Sequence, residues 1–199
     1  MAFYFFIFGY LYQKRENVMR NMHLGKVSLR KLDLSDKEKI ASMANNKNVW
    51  DNLTDIMPHP YGEEDAVTFI RMAVSSKSNH IFGIEYDGEL CGVIGLHRQP
   101  DVFRLSAELG YWLGEEYWHK GIAGYAVRIA VTYGFEKLGL ERIYASVYDF
   151  NKASQRVLEK SGFAFEGRSR RSVIKNNVIL DDMRYSIIRD DIKDDYLKI

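Results

Sequence analysis

The chain has 199 residues, 46% hydrophobic and 28% charged, the balance of one ordinary globular domain large enough for a sizeable core. Its 28 basic and 27 acidic side chains leave a net charge of +1, which gives no electrostatic pull toward nucleic acid or an anionic membrane. A single cysteine, Cys91, excludes an intramolecular disulfide and any cysteine-cluster metal site, and is compatible with a reducing, cytoplasmic setting.

The first dozen residues, MAFYFFIFGYLY, are apolar but fall short of the roughly 20 that a membrane-spanning helix needs. No basic residue precedes them and no small-residue cleavage site follows, so they read poorly as a signal peptide and imply no stable membrane insertion. They are expected to be an added strand or helix on the domain or a partner, or an upstream extension, with Met19 and Met22 as alternative starts. Residues 1–26 are therefore set apart from a domain over 27–189 and a tail over 190–199.

From Val27 the pattern is α+β. Val27–Leu32 alternates as a half-buried strand. Asp33 or Ser35 can cap a helix through Ile40, Ala41, Met43 and Ala44. Asn45–Gly62, with Pro58, Pro60 and four asparagines, reads as a loop over a cleft. A helix follows from Glu63, with Ala66, Phe69, Ile70 and Ala73 at helical spacing. Ile81–Tyr86, Asp87-Gly88 and Glu89–His97 form a hairpin signal, since Asp-Gly suits a type I′ turn. In the strand Leu105–Leu113, Leu105, Ala107, Leu109, Tyr111 and Leu113 share a face, with Glu108 turned away from it. Gly121–Leu138 reads as a helix, Arg142–Tyr148 as a strand and Lys152–Lys160 as a helix. Phe163–Arg168 and Val178–Ile188 are the last strands.

Two elements carry chemistry. In Glu115–Gly124 a glycine-bearing loop opens a helix, where free N–H groups and the positive end of the dipole suit a phosphate. Past the next strand, Asn151 and Ser154 stand three residues apart at a helix start. Neither GxxxxGK[ST] nor GxGxxG is present, which speaks against nucleotide hydrolases and dehydrogenases. No His/Asp/Glu spacing argues for a metal.

The runs AELGYWLGEEYWHKGIAGYAV and ERIYASVYDFNKASQRVLEKSGFAFEG resemble the core of the GNAT superfamily of acetyl-CoA-dependent N-acetyltransferases. Within it they are most similar to the branch of ribosomal-protein N-terminal acetyltransferases (RimJ/RimL-like). The resemblance covers roughly Val27 to Ile188. It implies a central mixed, mostly antiparallel bent sheet of about seven strands, splayed between strands 4 and 5 and flanked by about four helices. Acetyl-CoA would lie in the gap. The superfamily's Gln/Arg-x-x-Gly-x-Gly/Ala motif corresponds to Trp118-His119-Lys120-Gly121-Ile122-Ala123, with Trp118 a departure typical of this branch. Carried over, the backbone of His119, Lys120, Gly121, Ile122, Ala123 and Gly124 holds the pyrophosphate. Asn151 bonds the pantetheine arm or acetyl end, and a backbone N–H near Tyr111, Trp112 and Leu113 polarises the oxyanion.

Acetyl transfer needs a neutral amine. At pH 7 an α-amine is about 10% neutral, costing ~1.4 kcal/mol, whereas a lysine-type amine costs roughly 4.6 kcal/mol. Glu108 falls where the superfamily often places a catalytic glutamate, and is the candidate base or substrate contact, directly or through water. Many members carry a tyrosine where this chain has Leu158, so Ser154 is what the branch offers toward the leaving thiolate. His59 and Tyr61 are candidate acceptor contacts. Asp181 and Asp182 could read a cationic acceptor. Arg168, Arg170, Arg171 and Lys175 are expected at a solvated hairpin tip, or else on the cofactor's 3′-phosphate or an acidic partner. Cys91 reads as core.

The acceptor reads as a protein N-terminal amine, or as a small amine such as a polyamine or an aminoglycoside-like antibiotic. A non-catalytic acyl-CoA-binding sensor is the alternative from another class. Direct transfer in a ternary complex is expected, and a homodimer is compatible with the sequence.

Overall fold

A two-residue backbone reversal starts the architecture. In the computed structural model, which describes residues 22–193 and residue 196, Asp87 and Gly88 both take positive φ (54° and 85°), as a type I′ turn requires. They join β3 (Asn79–Tyr86) to β4 (Glu89–Arg98), the hairpin at the centre of the fold. Before it come β1 (His23–Leu24), β2 (Val27–Arg30), α1 (Lys37–Ala44), α2 (Lys47–Trp50) and α3 (Glu63–Ser75). After it come β5 (Ser106–Leu113), α4 (Ile122–Lys137), β6 (Arg142–Tyr148), α5 (Lys152–Lys160), β7 (Ala164–Lys175) and β8 (Val178–Ile188). The apolar run at residues 1–12 and the start at Met19 lie outside the described residues, as do 194–195 and 197–199 of the tail.

The strands form one sheet in the order β1-β2-β3-β4-β5-β6-β8-β7, antiparallel throughout except where β5 meets β6 in parallel. Among the described residues there are eight strands, one more than the sequence suggests, because His23–Leu24 pairs with Ser28 and Val27. The fifth helix is α2, a single turn inside the expected loop, capped by Asn46 Oδ1 on the Asn48 N–H (2.8 Å). Asp33, not Ser35, caps the first helical turn, accepting from Ser35 N at 3.0 Å while Asp36 reaches back to the Asp33 N–H at 2.8 Å. Arg30 then ties that turn to the sheet, bonding Asp36 (2.7 Å) and Glu85 (2.6 Å).

Strand β7 corrects the sequence reading. It runs on to Lys175, with irregular register between Phe165 and Gly167 and between Ser169 and Val173, and the β7–β8 tip is Asn176-Asn177, both at positive φ. Arg168, Arg170 and Arg171 therefore lie along the strand. Arg168 pairs with Asp181, which also accepts the Arg171 N–H (2.6 Å), and Lys175 is buried. Irregular pairing of this kind leaves no periodic trace in a sequence.

The core lies on both faces of the sheet. Helix α4 packs on one face, where a Cβ at Gly134 would press on Ile143 Cδ1 (2.7 Å) and Leu96 Cδ1 (3.1 Å). Ile129, Leu140 and Leu158 are fully buried on this side, and Ile40, Ala66 and Ile70 bury α1 and α3. Cys91 is buried and bonds Ile84 O (3.3 Å), and burial pushes its thiol up to about 12, so it is a core residue. Among the described residues no helix is long and apolar enough to cross a membrane.

Across the far side of the sheet, Glu166 accepts from Arg142 (2.6 and 2.5 Å) and from Ser186 Oγ (2.7 Å), which holds its carboxyl down at about 2. A lowered carboxylate contributes stability above its unfolded value of about 4.3 and loses it as pH falls toward 2. Glu166→Gln should therefore cost ~1 kcal/mol at pH 7 after solvent screening, a gap that closes by about pH 2. Urea titrations of both proteins across that range measure it.

Candidate active site

The loop before α4 is shaped by its backbone. Trp118 Nε1 donates to Leu113 O (2.9 Å), anchoring the loop to the end of β5. His119 and Gly121 then adopt positive φ (61° and 76°), so the chain turns sharply and α4 begins at Ile122 with Gly121 as its cap. Gly124 N bonds Gly121 O (3.1 Å). Ile122 and Ala123, at the first two helical positions, have no carbonyl four residues back inside the helix, so their N–H groups are donors for an anion. His119, Gly121, Ile122, Ala123 and Gly124 line a cavity of about 1770 Å³. Lys120 is the exception among the cradle residues: it is not on the cavity wall, and its ammonium sits 5.3 Å over the Tyr117 ring.

Four cations that the sequence motifs do not mark line the same cavity: Arg128, Arg156 and Lys160 beside this cradle, and Arg184 farther along it. Arg128 stands one turn beyond Gly124 on α4, and Arg156 and Lys160 are one turn apart on α5, a helical spacing that would have found them. Arg128 is held by the carbonyls of Lys160 (3.0 Å) and Tyr196 (3.2 Å). Uncovered amides at a helix start, flanking cations and a long cavity fit the phosphates of acetyl-CoA.

The middle of the cavity is a gap in the sheet. Parallel pairing of β5 with β6 covers Ser106–Arg142, Ala107–Ile143 and Glu108–Tyr144 and then stops. Gly114 N donates to Cys91 O on the β4 side (3.0 Å), while Arg142 N donates to Leu105 O on the β6 side (3.2 Å). Odd-numbered residues of β5 thus turn their polar groups toward β6, and past Glu108 the N–H groups of Tyr111 and Leu113 face the gap. Tyr111, Trp112 and Leu113 all line the cavity. A hydrogen bond spans the gap where Tyr111 OH and Ser154 Oγ lie 2.8 Å apart. Burial pushes the Tyr111 hydroxyl up to about 12. Asn151 caps α5, its Oδ1 accepting from Ser154 N (3.0 Å), and both residues line the cavity.

The other end holds Glu108, half-buried, opposite His97 on β4 and beside Tyr144 on β6. The Arg184 guanidinium lies 4.7 Å over the Tyr144 ring and 3.8 Å from Asp182. Glu108, His97, Asp182 and Arg184 line the cavity, whereas Asp181 is turned to its arginine partner. The loop forms the outer wall through Leu53, Ile56, Met57 and Tyr61. Tyr61 is buried, which pushes its hydroxyl up to about 12. His59 is not brought to the cavity. It is exposed and held by its stack on Trp50, ring centroids 5.2 Å apart, although its neighbour Pro58 lines the wall. Among the described residues no cluster of His, Cys, Asp and Glu could hold a metal.

Residues 26–164 match the family model for an acetyltransferase (GNAT) domain. The putative ribosomal N-acetyltransferase YdaF of Bacillus subtilis (strain 168) is 40% identical over 107 residues, 54% of this chain and 58% of the relative's own length. The spermidine N(1)-acetyltransferase of Escherichia coli (strain K12) is 29% identical over 147 residues, 71% of this chain and 74% of the relative. The structure of RimL, a ribosomal L7/L12 alpha-N-protein acetyltransferase in complex with coenzyme A, superposes with a TM-score of 0.77 at 19% identity. The match covers 86% of this chain and 99% of RimL, a likeness of fold.

The outer wall is pinned from β7. Lys175, its side chain 2% exposed, places its ammonium 3.2 Å over the Trp50 ring and 2.6 Å from Asp55 Oδ1. Asn176 bonds Asp51 (2.8 Å) and Tyr148 OH bonds Leu53 O (3.2 Å). Lys175→Met should lower stability by about 2 kcal/mol, the scale of a desolvated cation–π contact. It should also speed amide exchange over residues 51–57 at least ~10-fold while β3 and β4 stay protected, a pattern that hydrogen-exchange mass spectrometry resolves.

Proposed function

The chain belongs to the GNAT acetyltransferase family, and on that premise we propose that it transfers the acetyl group of acetyl-CoA to a primary amine, a protein N-terminal α-amine, by direct transfer in a ternary complex. The observation that carries this reading is the single cavity joining the helix-start cradle of α4, the opened edge of β5 and Glu108. Acetyl-CoA, when bound, supplies an activated carbonyl and a thiolate leaving group.

Each residue role follows from position. The N–H groups of Ile122 and Ala123, with Arg128, Arg156 and Lys160, bind the phosphates. Asn151 orients the pantetheine arm. The Tyr111 and Leu113 amides receive the oxyanion from the opened strand edge. Glu108 takes the proton from the attacking nitrogen, directly or through water. Ser154 Oγ, in its bond with the still-protonated Tyr111 hydroxyl, is placed to return a proton to sulfur, while Leu158 is core.

The charge of the acceptor end supports an α-amine. Glu108 and Asp182 share that end with Arg184, so it is no acid-lined bed for a polycation. The name of the YdaF relative points the same way. Similarity to a spermidine enzyme favours a polyamine as the second reading. Residues 27–189 form the catalytic unit of this proposal, working in the cytoplasm, where acetyl-CoA is made and used.

A panel of free-amine tripeptides, Nα-acetyl-lysine and spermidine, read by thiol release, tests the acceptor. Peptides should exceed spermidine in kcat/KM by at least ~10-fold, and the lysine ε-amine should be slowest, by its larger deprotonation cost. Glu108→Gln should lower kcat/KM about 100-fold with acetyl-CoA affinity unchanged. Spermidine as the fastest acceptor would overturn the peptide reading. Tight acetyl-CoA binding with no thiol release from any amine would mark a sensor.

A further inference from the structure

The floor of the acceptor end is cleared by a pair of glycines. Gly95 on β4 and Gly110 on β5 are direct cross-strand partners, and one step along the same face His97 lies opposite Glu108. The His97 imidazole leans over that cleared floor. A Cβ built on Gly95 would stand 3.2 Å from His97 Nε2, and one on Gly110 would stand 3.8 Å from it. The ring thus reaches from beside Glu108 toward the stretch of β5 that carries Tyr111, with both histidine and glutamate on the cavity wall.

We propose that His97 is a second proton acceptor for the incoming amine, working beside Glu108 from this glycine floor. The inference rests on the transferase reading above and adds a residue to it. An acceptor arriving as R–NH3⁺ gives one proton to His97 Nε2, leaving a lone pair on nitrogen for the new C–N bond and an imidazolium beside the Glu108 carboxylate. The second nitrogen proton passes to Glu108 as that bond forms. Of the two protons lost by nitrogen, one is balanced by the thiol product and the other goes to water.

The surroundings of His97 suit the role. Asn79 faces it from β3 and is uncharged, and Glu108 faces it from β5. Tyr144 and Arg184 lie beyond Glu108, and α3 contributes Phe69, Met72 and, further along the cavity, Asp65. Burial lowers the imidazole from its ordinary value and Glu108 partly opposes that, so it is neutral at pH 7 and able to accept a proton.

The test uses the full chain with acetyl-CoA and the tripeptide Ala-Ala-Ala carrying a free α-amine. His97→Gln is expected to lower kcat about 30- to 100-fold, with KM and acetyl-CoA affinity held within about two-fold. The acid limb of the wild-type kcat profile, where activity falls as pH drops through the His97 midpoint, should disappear. Gly95→Ala crowds the ring and should lower kcat as well, and adding it to His97→Gln should cost nothing more. A kcat within about two-fold of wild type, a loss equal at every pH, or additive losses would each overturn the proposal. A readout independent of turnover is the NMR titration of the His97 ring. Glu108→Gln should lower its midpoint, since the negative charge that raises it is gone, and an unmoved midpoint would sink the pairing. If Ala-Ala-Ala is not an acceptor, the peptide reading fails on the turnover arm, and the titration alone decides for or against His97.

Discussion

Between β5 and β6 the sheet holds together over three residue pairs and then opens, and the cavity exists because of that opening. A continuous ladder would consume the amides of Tyr111 and Leu113 in pairing with β6 and close the space between the two halves of the sheet. Parallel strands cannot be joined by a tight turn, so α4 must cross over between β5 and β6. Its N-terminus is thereby delivered to the point where the strands part. One topological fact places donor amides, helix start and Glu108 along a single cavity. The Tyr111–Ser154 hydrogen bond then sets how far apart β5 and α5 stand at that gap.

Strand alternation divides the labour of the two faces. Leu96 and Ile143 pack against α4, while His97 and Glu108, next to or one strand away from them, fall on the cavity side. Because the period is two, the same residues that bury the core dictate which polar groups reach the cavity. Gly95 and Gly110 add a second constraint: with no side chains there, the floor stays open to the His97 imidazole.

Charge is distributed along the cavity in the sense the chemistry needs. Arg128, Arg156 and Lys160 cluster at the helix-start end, and the acceptor end balances Glu108 and Asp182 against Arg184. The net charge of +1 says nothing of this, since a whole-chain sum does not record where along the cavity the charges stand.

Local chemistry was legible in the residues themselves. Asp87-Gly88 announces a hairpin turn because both positions need positive φ, Gly121 announces a helix start, and Asn151 announces a cap, each within a few residues of its partners. The donor half of the site was therefore readable, apart from the Lys120 side chain and the helical cations. Of the acceptor half, Glu108, Tyr61 and Asp182 were named and line the cavity, and the rest was not legible. Whether His59 reaches the cavity or stacks on Trp50, whether Lys175 is solvated or buried on that same ring, and whether His97 meets Glu108 depend on pairings between segments far apart in the chain. The amino-acid sequence determined most of the elements, their order and the glycine turn that opens α4, since these follow from short-range sterics and hydrogen bonding. Only the tertiary structure decided which side chains share the cavity, because strand register and long-range packing bring them together and leave no local pattern behind.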